Sequence, residues 1–301
     1  MIATFLSVSE IGDDKLKEIV SKKLDVINDV QICFGRNGDI ILIPLNFPKT
    51  ILPVLYSLSI SDYVLFYVSK EIKSLDAELA ICVENSRIDN GYCIVDDYSD
   101  LTSFDSFFSK YKVGRFSKEK SIPSNISIAS NGFDFDYVSI DKHFVVKGIG
   151  SVIIGFVIGK DIKKGDKLLL LPSLKQCTVK SIQIMDENKD SAITGSHVGL
   201  ALNNVSESDI SSNYALSSLS QVYKESYVNL KISPFYKEDI FSKTLSFSFF
   251  GEAITANLSK EGERIKAKFN KAIPIINIEY VLADPSLSIG KNRIAGSFIF
   301  C

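Results

Sequence analysis

Tryptophan is absent, and histidine occurs only at His143 and His197. A histidine-rich metal centre is therefore excluded. Cysteine is sparse: Cys33, Cys82, Cys93, Cys177 and Cys301 are far apart, odd in number and include no CxxC pair. That pattern predicts buried free thiols in a reducing compartment, not a disulfide framework. No charge of either sign dominates, with 34 Lys and Arg against 36 Asp and Glu and a net charge of −2. A protein that coats nucleic acid usually has a basic excess, so DNA is not an expected partner, although local basic patches remain. Long apolar runs are missing too. Val152–Ile158 and Leu168–Leu171 are too short to span a bilayer, and Met1–Phe5 lacks the basic start of a secretory signal. A soluble, cytoplasmic protein without a membrane partner is expected.

What is present falls into two textures. Residues 1–120 alternate strand-like and helix-like segments, which implies a largely parallel sheet with helices against it. "MIATFL", "DIILIPL" (Asp39–Leu45), "DYVLFYV" (Asp62–Val68) and "GYCIV" (Gly91–Val95) read as strands. Leu16, Ile19, Val20 and Leu24 line one face of a helix opened by Asp13 and Asp14, and "SLDAELAICVENSRI" reads as a second helix with Ser74 as its cap. A polar linker is expected near Gly114–Asn125. Beyond it the helical period stops, and short apolar runs recur between Gly, Asn and Asp turns, as in antiparallel barrels. The expected fold class is α/β plus all-β, with domains at 1–120, 121–215 and 216–301. The last seam is expected near the serine-rich stretch 206–220.

The middle region carries a specific pattern. In "SIDKHFVVKGIGSVIIGFVIGKDIKKGDKLLLLP" these are Asp141, Phe144, Gly148, Gly150, Ser151, Val152, Gly155, Gly165 and Asp166, followed by Gly195 and Gly199. About 80 residues here resemble the second domain of the translational GTPases of the elongation factor Tu class. The resemblance is strongest to the selenocysteine-specific factor SelB and the gamma subunit of archaeal initiation factor 2. Near the C-terminus, Arg293 and Gly296 resemble the closing strand of that family's third domain. The glycines are expected to shape a barrel, not a catalytic site. The resemblance implies a shortened P-loop-GTPase-like domain followed by two antiparallel β-barrels.

The motifs of the GTP site can then be tested one by one. The phosphate loop should lie at 7–14, where its first Gly is Ser7, its second is retained as Gly12, its Lys is Asp13 and its hydroxyl residue is Asp14. Two carboxylates facing phosphates replace attraction with repulsion in a poorly screened site. Pro44–Pro48, "PLNFP", stands where the second switch should follow its strand, so its magnesium-holding Asp and its Gly are missing. The guanine motif falls on Asp97, Tyr98, Ser99 and Asp100, and keeps only the base-pairing Asp position. GTP and Mg²⁺ are therefore expected not to bind, no catalytic residue is expected, and the chain reads as a pseudo-GTPase. The domains should hold one arrangement whether or not GTP is added. A metal on Glu10, Asp13 and Asp14 is not expected, because consecutive helical residues do not converge.

The resemblance also implies partners: tRNA, the ribosome or another translation factor. In the family, the groove between the first two domains and the face of the third hold the acceptor arm of aminoacyl-tRNA. Candidate RNA contacts are Lys112 and Arg115 in the expected linker, and Arg264, Lys266 and Lys268, which share one strand face by alternation. The alternatives are an unconventional GTP-binding factor and a protein-binding regulatory subunit without RNA contact.

Overall fold

The computed structural model describes residues 1–8, 13–123, 126 and 132–301. The first region is a seven-stranded sheet. Its elements are β1 (Ile2–Leu6), α1 (Asp13–Ile19), β2 (Val20–Ile27), β3 (Val30–Gly35), β4 (Ile40–Pro44), α2 (Leu52–Ile60), β5 (Tyr63–Tyr67), α3 (Ser74–Glu84), β6 (Gly91–Ile94), α4 (Leu101–Phe108) and β7 (Ser117–Glu119). The strand order is β2-β3-β4-β1-β5-β6-β7. β4, β1, β5, β6 and β7 run parallel, while β3 is antiparallel to both of its neighbours. The chain leaves β1 toward one side of the sheet and returns through α2 to the other. The carboxyl end of β1 is thus the topological switch point, where open α/β sheets hold their ligands.

The helix expected to run on to Leu24 stops at Ile19. A helix of seven residues has little stability of its own. Asn28 and Asp29, with φ of 50° and 58°, make a tight hairpin turn of the kind that pairs flanking strands. Val20, Ile27, Val30 and Ile32 are buried by that pairing, so strand formation wins. α2 lacks a polar face, and the sequence reading did not find it. Pro53, Val54, Leu55, Tyr56, Leu58 and Ile60 are all buried, because the helix is wedged between the sheet and the later domains. Lys73, not Ser74, caps α3, and its N–H donates to the Asp76 carboxylate at 2.9 Å.

The expected linker at 114–125 is in part structural. Val113–Arg115 forms a short 3-10 turn, and β7 adds the last strand of the sheet. Next comes an antiparallel sheet of eight strands between Tyr137 and Ser217, whose first strand is bridged through Val138 to Val157, just past the strand Gly150–Phe156. Gly148 and Gly150 lie in and beside the turn between the strands Lys142–Val146 and Gly150–Phe156, so they are not bulges within a strand. Gly155 does mark a close approach: a Cβ there would sit 1.8 Å from the Ser139 carbonyl oxygen. The serine-rich stretch is not free chain either. Ser206 caps a helix at Glu207–Ser211, and Ala215–Ser217 pairs inside this sheet.

Residues 223–300 form a closed barrel of six strands. Gly296 lies where the strands Tyr223–Ile232 and Ile294–Phe300 pair, with φ of 145°. A Cβ there would meet the Lys231 carbonyl oxygen at 2.0 Å. Gly296→Ala should therefore open the barrel seam. Soluble yield and melting temperature should both fall sharply, whereas Gly262→Ala, which has no neighbour within 4 Å, serves as a milder positive-φ control.

The three regions are joined by polar contacts through shared apolar cores. The Arg293 guanidinium, from the barrel, donates to both Glu78 carboxylate oxygens on α3 at 2.9 and 2.6 Å, and to the Pro48 carbonyl at 2.8 Å. Ser59 on α2 lies 2.8 Å from the Ser248 hydroxyl and accepts from Gly251 N–H at 3.0 Å. Tyr56, one turn earlier, donates to Asp141 in the middle region at 3.0 Å. Four of the cysteines are buried as expected, and Cys301 is exposed.

Candidate functional site

The switch point is flanked by the residues after β1, β5, β6 and β7. Ser7 follows β1, Gly12 lies outside the described residues, and Asp13 begins the backbone of α1. Asp14 is exposed and pairs with Lys17 on the next turn at 3.2 Å. The nearest lysine, Lys15, is engaged: its ammonium pairs with Glu18 at 3.0 Å and donates to the Lys120 carbonyl.

The loop after β6 is occupied with its own structure. Asp96 accepts from the Tyr67 hydroxyl and from Tyr98 N–H, the latter at 2.8 Å. Burial pushes the Asp96 carboxyl up, but those hydrogen bonds and one from Ser99 outweigh it and hold it below its usual range. Asp97 pairs with Lys120 at 2.9 Å on the surface, and Tyr98 is 73% exposed. Asp100, at the base-pairing position, caps α4 by accepting from Ser103 N–H at 3.0 Å. A helix that begins at Leu101 needs such a cap, which gives this Asp a local role.

The five basic candidates separate. Lys112, expected in a linker, is instead buried in the first domain. Its ammonium donates to the Ser86 carbonyl at 2.6 Å and pairs with Asp89 at 2.9 Å, so it is not available to a phosphate. Arg115 is exposed at the end of the 3-10 turn, far in sequence from Arg264, Lys266 and Lys268 and on a different domain from them. Arg264, Lys266 and Lys268 do share one face of the strand Arg264–Ile273, while Ala267 and Phe269 point into the barrel. That face is partly neutralised. Lys266 pairs with Glu225 at 2.8 Å and Glu261 at 3.6 Å, and Arg264 stacks on Tyr227 with 3.5 Å to the ring centre. Lys268 is exposed opposite Glu225 and Asn257.

Sequence reasoning missed two features of the middle domain. The first is an open cup of about 310 Å³, lined by Phe144, Ile149, Val152, Ile154, Met185 and His197 among others. Met185, Ile149 and Phe144 are 61%, 43% and 41% exposed, an unusual amount of apolar surface for one small patch. Only the folding of four strands brings the lining of the cup together. The second is a buried pair beside the cup. His197 Nε2 lies 3.8 Å from Asp141 Oδ2, and neither atom has a hydrogen-bond partner. Burial raises Asp141 to about 7, against hydrogen bonds from Tyr56 and Ser139 that lower it. Burial lowers His197 to about 4. Among the described residues, no group of three or more His, Cys, Asp or Glu could hold a metal ion, and no helix is long and apolar enough to cross a membrane.

No protein-family model matches the chain. An uncharacterized protein of Methanocaldococcus jannaschii is 28% identical over 253 residues, 79% of each chain. The selenocysteine-specific elongation factor of the same organism is 32% identical over 91 residues, which are 30% of this chain and 19% of that protein. The translation elongation factor SelB from Methanococcus maripaludis, solved with a GTP analogue, superposes with a TM-score of 0.77 at 17% identity, over 99% of this chain and 78% of that one.

Proposed function

We propose, for a chain that has the α/β-plus-two-barrel fold of the SelB-type translation elongation factors, that it is a translation-factor relative which no longer binds or hydrolyses GTP and acts as a binding module in translation. The observation that carries the first half is the state of the guanine loop. Asp100 is spent on capping α4 and Asp96 on the Tyr67 hydroxyl, while Lys15 and Lys120 are tied to neighbours instead of facing a phosphate position. Asp13 and Asp14 stand at the positions where the family has Lys and a hydroxyl residue. These residues do not fit a guanine nucleotide with its Mg²⁺, and no hydrolytic step is assigned to them.

The second half rests on surfaces. The apolar cup of the middle domain and the Arg264–Lys268 face of the barrel lie on the domains that the family uses for aminoacyl-tRNA. The acceptor end of tRNA combines an apolar or aromatic group with phosphates, which matches a cup plus a basic strand. Glu225 and Glu261 temper that strand, so binding should be modest and strongly salt-dependent.

Calorimetric titration of GTP and GDP with Mg²⁺ tests the first half. No heat of binding is expected at millimolar nucleotide, and micromolar binding would refute the proposal. Filter binding of aminoacylated and deacylated tRNA tests the second half. Affinity should fall steeply with salt, and Arg264→Ala and Lys268→Ala should each weaken it.

A further inference from the structure

A small cavity of about 20 Å³ lies where α2, the chain after α3 and the barrel meet. Its lining includes Ser59 from α2, Ser86 and Arg87 after α3, and Ser248, Tyr280 and Val281 from the barrel. That volume has room for one water and for no polyatomic ligand. Arg87 reaches it from the first domain. Its Nη2 donates to the Ser61 carbonyl at 2.7 Å, just past the last turn of α2, where a cation meets the negative end of the helix. The guanidinium lies over the Phe133 ring, 5.6 Å from its centre. Its Nε–H is buried and, among the described residues, has no acceptor. A buried donor left so is costly, and more so on a cation.

The hydroxyl protons around the cavity are already committed. Ser59 donates to the Tyr56 carbonyl at 2.8 Å, and Ser86 donates to the Val83 carbonyl at 2.8 Å. Ser59 has no second proton, so Ser248, 2.8 Å away, is the donor in the bond that these two hydroxyls share. The Tyr280 hydroxyl donates to the Ile276 carbonyl at 3.4 Å. These oxygens keep only lone pairs. The side chains around the cavity therefore offer one free donor, on Arg87, and several acceptors. An anion needs several donors, and Glu279 in the same lining adds a negative charge against it. A cation is opposed by the guanidinium. Water suits the set, because it accepts from one group and donates to two others.

We infer that one internal water occupies this cavity, accepts from Arg87 Nε–H and donates across the seam to the Ser248 and Tyr280 oxygens of the barrel. The water completes the hydrogen bonding of Arg87 and adds a contact between the first domain and the barrel beside the Arg293–Glu78 fork. Arg87 is then a positioning residue, which ties the C-terminal end of α2 to the barrel through solvent. The inference does not depend on what the chain binds, so it stands or falls apart from the proposed function.

Crystals of the full chain should show one density peak about 2.8–3.2 Å from Arg87 Nε, and crystals soaked in sodium bromide should show no anomalous peak there. Urea unfolding supplies a second test. Val281→Ile adds one methylene to a wall of the cavity and should displace the water. The midpoint should then fall by about 0.3 M or more although apolar surface is gained, because the Arg87 donor is stranded. In an Arg87→Met background no such donor remains, and Val281→Ile should leave the midpoint unchanged or raise it. An absent peak, or a bromide peak in its place, overturns the inference. So does a rise in midpoint for Val281→Ile alone. An equal fall in both backgrounds also overturns it, because overpacking and not a displaced water would be the cause.

Discussion

Replacing Arg293 by alanine should lower the unfolding free energy by about 3–5 kcal/mol, the largest loss expected from one side chain at the domain seams. Arg293 and Glu78 are only 2% and 4% exposed, and their fork of hydrogen bonds crosses from the barrel to α3. Removing the guanidinium leaves the Glu78 charge buried with only the backbone N–H of residue 293, at 2.9 Å, as donor. The Pro48 carbonyl loses its donor as well. Both losses are desolvation without compensation. Glu78→Gln should also be costly, since it strands the arginine. The combined change to Arg293→Met and Glu78→Leu should recover much of the loss, because two apolar side chains need no partner. Urea denaturation of the single and double variants measures this. A loss under about 1 kcal/mol for Arg293→Ala would mean that the pair does not hold the domains.

Asp141→Asn and His197→Gln should give opposite slopes of stability against pH. Asp141 has its folded pKa raised to about 7 from 3.8, so the folded chain keeps a proton that the unfolded chain has lost. Its contribution is intact below the unfolded value and is lost as pH rises toward 7, by up to about 4 kcal/mol. His197 has its folded pKa lowered to about 4 from 6.5, so the unfolded chain takes the proton first. Its contribution grows as pH rises from 4 to 6.5, by up to about 3 kcal/mol. Over that window the two slopes cancel, and the pair adds no net pH dependence to the unsubstituted protein. Asp141→Asn leaves the histidine slope unopposed, and the variant should gain stability from pH 4 to 6.5 relative to the unsubstituted protein. His197→Gln leaves the carboxyl slope unopposed, and that variant should lose stability over the same range by the same comparison.

The physical cause lies in the surroundings of the pair. Asp141 Oδ1 accepts from Tyr56 at 3.0 Å and from Ser139 at 3.2 Å, and Oδ2 faces the mostly buried imidazole at 3.8 Å. Asp25 and Lys142, which form their own ion pair nearby, act on His197 in opposite senses and leave burial in control. A neutral acid beside a neutral imidazole avoids two buried charges. Equal slopes in both variants, measured by denaturation at several pH values, would mean that burial does not shift the two groups in opposite senses. Tyr56 ties the same pair to α2, so the seam between the first two domains should follow the same proton balance.

Much of this was legible in the residues. The strand pattern of β1, β4, β5 and β6, the glycine spacing from Gly148 to Gly165 and the alternation of Arg264, Lys266 and Lys268 each depend on local geometry. A period of two or a turn residue writes such features into consecutive positions. Asp13 and Asp14 at the Lys and hydroxyl positions could be read for the same reason, since a phosphate loop is a contiguous segment.

Features made by distant segments could not be read that way. Val20–Ile27 became a strand because the Asn28–Asp29 turn brought it against Val30–Gly35, overriding a helical period. Lys112 looked like a linker cation until the Ser86 carbonyl and Asp89 were folded around it. The Arg293–Glu78 fork, the Asp141–His197 pair and the cavity beside Arg87 join residues from separate domains or strands. Burial sets their energies, and burial is a property of what the rest of the chain places around a residue. By itself the sequence determined the domain types and the residues at the phosphate-loop positions, because these lie in contiguous segments, and only the tertiary structure decided which charges are locked, which are shared and which aromatic surfaces stay open.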